Sequence, residues 1–502
     1  MGEGATSQSR ALVWCVAHRW SLIVWAAMIA WSFALFVTVR ADFGDFQLAR
    51  FDLGNMVQAV WSTAHGHPLE VTDASGEQIV RLASHVDPIL VLVAPMWFIA
   101  PTPLLLAGLQ VLACALGALP VFWLGRRYLG SERPAALLAL AYLAYPWLAW
   151  TALDAFHPVT LAIPLFLFAI WFLDTRRLTA FVVCAALILV TGELMGLPLA
   201  ALGLWHWLSR SRPRQVSPRR SSEQRRVGLA VAFVGVTWTV LCLLVIVPAF
   251  RGDESLFYQR FASVGGSPQG ILKTAFTDPG AIFSALTSNA DLVYLLALTA
   301  PLVGAFLLAP ALAAVALPQL LVNGLSDWST ATDPRHHYVA GVIPFLVAGV
   351  VLGLVRVSDA RRTFCAAAIL VASAIFSFAA GPIRGGPGTT PTGFQSRLPP
   401  EHVEALRAAV SLVPDGAAVS ATNRAGSQLS ARRYVYSVPT VGRAEWLLID
   451  TWNTWMPQSE DRAEGPHPKV LRAFLDRTQA SADWRRVFER NGVFVFERVA
   501  RP

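Results

Sequence analysis

The sequence predicts an α-helical polytopic membrane protein of about eleven transmembrane helices that ends in a small extracytoplasmic α/β domain. Three observations predict it. The 502 residues are 55% hydrophobic and only 14% charged, where soluble domains carry about 25% charged residues. Apolar runs near the length of a bilayer crossing, about 20 residues, recur along the chain. After the Gly/Pro-rich stretch GPIRGGPGTTPTG the composition changes to mixed polar and apolar.

Spans fall near residues 20–39, 103–124, 135–152, 158–173, 227–250, 291–309, 338–356 and 363–381. The first is long enough to stay as an anchor, and no signal-peptidase site precedes it. Arginine placement sets the sides. Arg10 and Arg19, the GRRYLGSERP turn, Arg176 with Arg177, the segment RSRPRQVSPRRSSEQRR, and Arg356 with Arg361 and Arg362 form five basic clusters. The positive-inside rule places all five in the cytoplasm. The long run 178–208, interrupted by TGELMG, must then leave and return as two short helices with Glu193 at the outer tip. Residues 311–324 become a short span. HVDPILVLVAPMWFIAPTP keeps both ends outside and is expected to dip into the outer leaflet. The net charge of +8 thus reads as topology and contact with anionic lipid, not nucleic-acid binding. Trp20, Trp97, Trp147 and Trp205 are expected at the interfaces as an aromatic belt. The five cysteines lie in or beside apolar segments with no CxxC spacing, which predicts neither a disulfide framework nor a thiolate metal site.

Domains are expected at 1–381 (membrane domain, with a first external loop at 40–102 holding membrane-lying helices), 382–397 (linker) and 398–502. In the last, LPPEHVEALRAAVSLV, NRAGSQLSARR (capped by Asn423) and HPKVLRAFLDRTQ read as helices. GAAVSA, YVYSV and EWLLID read as strands, and WRRVFERNGVFVFERV as a hairpin turning at Asn-Gly. The alternation predicts a mostly parallel sheet. No glycine-rich phosphate fingerprint is present. The domain caps the outer face, contacts substrate, or serves stability alone.

This threading sends Asp42, Asp45, Asp52, His65, His67, His85, Asp87, Asp154, His157, Glu193, Asp333, Arg335, His336 and His337 to one side. Ionisable groups at membrane depth tend to face a cavity or one another. Asp52 opens DLGNMVQAVWSTAHG, whose apolar residues recur at helical spacing. It is as well explained by complementing the helix dipole as by chemistry. His65 and His67, flanking Gly66 before Pro68, read as a surface turn. His85, Asp87, Asp154, His157 and Glu193 offer imidazole and carboxylate, donors that suit a divalent metal. Capping and mutual hydrogen bonding, with Asp154 capping the helix after Pro158, is the favoured account of them. No cofactor is required, and a divalent metal is the one candidate.

The ordered motifs FDLG, QAVWSTAHG, SHVDP, DAFHP, the Glu193 turn, HHY and VPDGAAVSA resemble a family of uncharacterised polytopic membrane proteins catalogued as a domain of unknown function. The resemblance spans nearly the whole chain. More distantly, that family is similar to the GT-C class of integral-membrane glycosyltransferases. The resemblance implies a GT-C-like fold, a polyprenyl-phosphate-linked sugar donor, an acceptor in the cell envelope (glycan, lipid or protein), and an active site on the extracytoplasmic side of the cell membrane. In that class the first external loop carries the catalytic carboxylate, and Asp52 stands at the matching position. The class often has an Asp-Glu pair there; here Leu53 follows Asp52, and Asp42 and Asp45 are alternatives.

On this reading Asp52 is the catalytic base. Asp45, His85, Asp87, Asp154, His157 and Glu193 line the cavity, and Arg335, His336 and His337 hold the donor phosphate. Arg260 is a second phosphate candidate, better explained as a snorkelling cation. Two rival classes are a transporter or flippase of a lipid-linked or polar solute, and a non-catalytic membrane scaffold. A polar path running to the cytoplasmic side would mark the former.

Overall fold

The computed structural model describes residues 18–209, 218–251, 256–382, 398–459 and 463–499. Arg10, Cys15, residues 210–217 of the basic segment and nearly all of the expected linker lie outside them. Among the described residues, four helices are long and apolar enough to cross a membrane: Arg19–Gly44, Leu104–Leu129, Glu223–Arg251 and Asp359–Ala380. Two bent pairs bring the number to six, and five shorter apolar helices of 10–17 residues accompany them. The expected eleven runs all fall on helix, but several are too short or too broken to pass alone.

The breaks have local causes. Glu132–Leu143 and Pro146–Leu153 meet at 46°. Pro146 has no N–H for a helical bond, and it drives Tyr145 into the extended region (φ −69°, ψ 118°). The 251–290 region, between the spans expected near 227–250 and 291–309, carries helices Pro268–Thr277 and Pro279–Leu286. Ser267 and Asp278 cap them, each ahead of a proline at the first helical position. Leu272, Phe276 and Phe283 stay exposed on them.

The main core joins Tyr142, Phe166, Phe345 and Ala118 from the helices at 104–174 and 343–356. Helices Gly196–Leu208 and Pro218–Leu241 touch backbone to backbone: a Cβ on Gly196 would stand 2.2 Å from the Gly235 carbonyl oxygen. Small residues at such a crossing are how apolar helices gain contact where lipid removes the hydrophobic drive. Trp97 and Trp147 are buried inside the protein. Trp147 Nε1 donates to the Ala297 carbonyl at 2.7 Å, anchoring its helix inside the protein.

The 40–102 loop holds helix Asn55–Ala64 and a hairpin that periodicity missed, β1 (Glu70–Thr72) and β2 (Gln78–Val80). His65 and His67 sit in the expected turn, with the His65 ring stacked on Trp61.

The C-terminal unit contains β3 (Val419–Ala421), β4 (Val435–Ser437), β5 (Trp446–Asp450), β6 (Trp455–Met456), β7 (Gly465–Pro466), β8 (Trp484–Arg490) and β9 (Val493–Arg498). The main sheet has the order β4-β3-β5-β9-β8. β3 runs parallel to β4 and β5, while β9 runs antiparallel to β5 and β8. The sheet is therefore mixed, because the Asn491-Gly492 turn returns the chain as a hairpin; both residues take positive φ. Asn423 does not cap its helix, whose N-cap is Thr422. The Asn423 Oδ1 instead accepts the backbone N–H groups of Arg50 (3.1 Å) and Phe51 (3.3 Å). The unit is docked on the 40–102 loop through these bonds, the buried Arg50 side chain, and an Arg433–Glu70 ion pair at 2.9 Å.

Candidate active site

Where the membrane domain and the C-terminal unit meet lies one cavity of about 1460 Å³. Its wall takes Asp42, Asp52, Arg81, His85 and Asp87 from the first loop, Asp154 and His157 from the DAFHP turn, and Glu193 from the tip at 193–195. Arg260, His336, His337 and Tyr338 come from later loops, and Asn423, Trp452, Trp455 and Glu464 from the C-terminal unit. Of the expected lining residues, Asp45 is outside; it pairs with Arg407 at 3.3 Å where the two domains touch. Arg335 is also outside the wall. Its Nε donates to both Asp333 oxygens at 3.0 Å, two residues away. Arg260 does face the cavity, its guanidinium 4.1 Å from the Trp328 ring centre and hydrogen-bonded to Tyr338.

Asp52 sits in a turn of π-helix, Arg50–Gly54, that leads into the 55–64 helix. Gly54 permits this: a Cβ there would lie 2.5 Å from Ser430 Oγ of the C-terminal unit. Asp52 is an exposed residue on the wall of this open cavity. Desolvation by the cavity wall, then the negative charges of Asp154 and Glu464, push its pKa up to about 7.

The DAFHP turn is pinned by Gln110, a lone amide in an otherwise apolar helix. Its Nε2 donates to the Asp154 carbonyl (2.7 Å) and the Thr151 carbonyl (3.0 Å). Its Oε1 accepts from the His157 N–H (3.0 Å) and Thr160 Oγ1 (2.8 Å). A polar residue inside a span was the signal that could have singled out Gln110. Asp154 does not cap the following helix. Its Oδ2 accepts the His337 N–H at 3.0 Å and lies 3.2 Å from His337 Nδ1, 3.9 Å from His157 Nδ1 and 4.0 Å from His336 Nδ1. The His157 and His337 rings stack at 3.6 Å. Burial, then the neighbouring His337, lowers the His157 pKa to about 3; burial, then His336, takes His337 well below its ordinary value. Both imidazoles are neutral at neutral pH. Burial raises the Asp154 carboxyl, partly offset by its histidine neighbours.

The five residues considered for a metal divide into separate groups. Asp87 is held bidentate by buried Arg81, Nε to oxygen 2.8 and 2.9 Å, a partner that sequence reasoning missed. Glu193 accepts the Val86 N–H at 3.1 Å and pairs with His85 at 3.2 Å. Burial alone would raise the Glu193 pKa; the His85 hydrogen bond and charge and the backbone N–H groups outweigh it and bring it to about 2. Among the described residues, Asp154 and His157 are the two of the five that belong to a group of three possible metal ligands, with His337 as the third.

The family model described as "Predicted membrane protein (DUF2079)" matches residues 43–495. The chain belongs to this family. No curated protein matches it. Among solved structures it is similar to ArnT from Cupriavidus metallidurans bound to undecaprenyl phosphate, with TM-score 0.51 and 13% identity over 96% of this chain and 99% of that one. The apo form of the same ArnT gives TM-score 0.46 at 13% identity, over 93% and 98%. At this identity the likeness establishes fold. This DUF2079 member has the GT-C-like architecture that the resemblance implied, a helical membrane domain with a small C-terminal sheet unit.

Proposed function

We propose that this DUF2079 protein transfers a sugar from a polyprenyl-phosphate donor to a hydroxyl acceptor inside the cavity, at the extracytoplasmic face of the membrane. The cytoplasmic N-terminus and outward C-terminal unit follow from the arginine pattern. One observation carries the reading: Asp52, with a pKa near 7, lines one cavity with Arg260, His336, His337 and Tyr338. A base works best when its pKa lies near the working pH. Asp52 takes the proton of the acceptor hydroxyl as that oxygen attacks the sugar C1. The C1–O bond to phosphate breaks, and its electron pair leaves with the polyprenyl phosphate. Arg260 receives that growing negative charge, with His336 and Tyr338 as donors. Arg335, turned onto Asp333, is not needed for it. The ArnT structure with the related fold holds undecaprenyl phosphate, which supports this donor class.

The experiment is sugar transfer from a synthetic polyprenyl-phosphate sugar in proteoliposomes. Asp52→Asn keeps the shape and removes the base, and turnover should fall about 10²–10⁴-fold. Undiminished turnover would remove Asp52 from the chemistry.

A further inference from the structure

We propose that Asp154, His157 and His337 form a binding site for one divalent transition-metal ion. This goes beyond sugar transfer and holds whichever reaction the cavity serves.

Each residue offers one ligand atom, and these atoms lie within 4.8 Å of one another. Two imidazoles and one carboxylate are a borderline donor set. It suits Zn²⁺, Co²⁺, Mn²⁺ or Fe²⁺, whereas Mg²⁺ and Ca²⁺ favour all-oxygen shells and Cu(I) favours sulfur. The supporting bonds match those of metal-binding histidines. His157 Nδ1 lies 2.5 Å from the Ala155 carbonyl, which can only accept. Nδ1 therefore carries the hydrogen and Nε2 is left bare, the tautomer a metal needs. The His337 N–H fixes Asp154 Oδ2 at 3.0 Å. Gln110 holds the backbone of both Asp154 and His157, so two ligands come preset from one turn. All three residues line the cavity, which gives an ion an entry path and leaves coordination positions for water or a substrate oxygen.

One adjustment is required. The two rings stack with planes 16° apart, so an ion cannot lie in both planes as they stand. One imidazole must turn about its Cβ–Cγ bond, a broad torsion with little cost.

The test uses the full-length protein, purified in detergent, stripped with chelator and titrated with Co²⁺ without lipid donor. Visible d–d bands should saturate at one equivalent and vanish on adding Zn²⁺. His157→Gln and His337→Gln should each weaken Co²⁺ binding at least about 10-fold, while Arg335→Ala leaves it unchanged. Absence of saturable bands in the wild-type protein overturns the proposal, as does wild-type affinity in either histidine variant. X-ray absorption of the Zn²⁺-loaded wild-type chain is a second test that needs no variant. Two imidazole shells are expected, and oxygen neighbours alone overturn the site. Metal binding that persists while sugar transfer fails would break the transfer reading and leave this one standing.

Discussion

Among the described residues Arg50 is the largest fully buried side chain, and it couples the two halves of the cavity wall. Its guanidinium donates to Ser437 Oγ (2.8 Å), the Thr72 carbonyl (2.6 Å) and the Val435 carbonyl (2.5 Å). β1 of the first loop and β4 of the C-terminal unit thus share one cation. Burial lowers its pKa only to about 10, so it is charged at neutral pH. Consider Arg50→Met, which keeps the stem and removes the donors. Three hydrogen bonds from a charged group are worth about 1.5–3 kcal/mol each, roughly 5–9 in sum. The several kcal/mol spent on desolvating the guanidinium also disappear. The net loss should be about 3–5 kcal/mol, as for breaking a buried ionic contact while leaving its partners unpaired. At about 1.4 kcal/mol per tenfold, local opening of the docked interface should become more populated by roughly 10² to 10³·⁵. Hydrogen–deuterium exchange of peptides covering β1 and β4 measures it. Exchange within threefold of wild type in both strands would refute the claim that Arg50 holds the domains together.

Three further outcomes are expected. Sugar transfer by the wild-type protein should rise with pH through about 7, because a base acts only when deprotonated and Asp52 titrates there. Glu464→Gln removes a negative charge that raises Asp52 and should move that limb to lower pH in the rate–pH profile. Glu193, held near 2 against an ordinary 4.5, contributes about 3 kcal/mol of stability. That contribution is complete above about 4.5 and lost as pH falls toward 2, so acid melting curves of Glu193→Gln should lack this fall and start lower. Arg260→Ala should weaken binding of polyprenyl phosphate about 10-fold or more, as expected for a charge-assisted contact, whereas Arg335→Ala should bind like wild type; equal losses in a lipid-binding assay would restore Arg335 to the site.

The sequence carried the helical membrane fold because hydropathy is a collective signal, averaged over many residues. The Asn491-Gly492 hairpin and the proline-started helices were legible because one or two residues dictate their backbone. The mixed sheet was not, since whether β9 joins β5 parallel or antiparallel depends on a return path across the domain. For the site, Asp52, His85, Asp154, His157, Glu193, His336 and His337, which the sequence singled out, line one cavity. The sequence could not say which partner each ion chooses. Arg335 lies next to His336 in sequence, yet Asp333 claims it within a tight turn. Arg260, about 75 residues earlier, reaches the cavity. Asp45 and Asp52 are separated by less than two helical turns of chain, but the left-handed Phe46 (φ 57°) ends the long helix and redirects the chain beyond it.

That redirection explains why a carboxylate with a pKa near 7 exists here at all. Asp52 stands on a turn clamped from beneath by its own loop and from above by Asn423, which accepts the N–H groups of residues 50 and 51. Phe51 packs against Trp455 of the C-terminal unit, ring centres 5.5 Å apart. Part of what raises the Asp52 pKa, the Glu464 charge, is thus supplied by the C-terminal unit. Lifting that unit would remove this charge and lower the Asp52 pKa. The base strength proposed for catalysis and the docking of the C-terminal unit are one property, and the Arg50 variant should change both together.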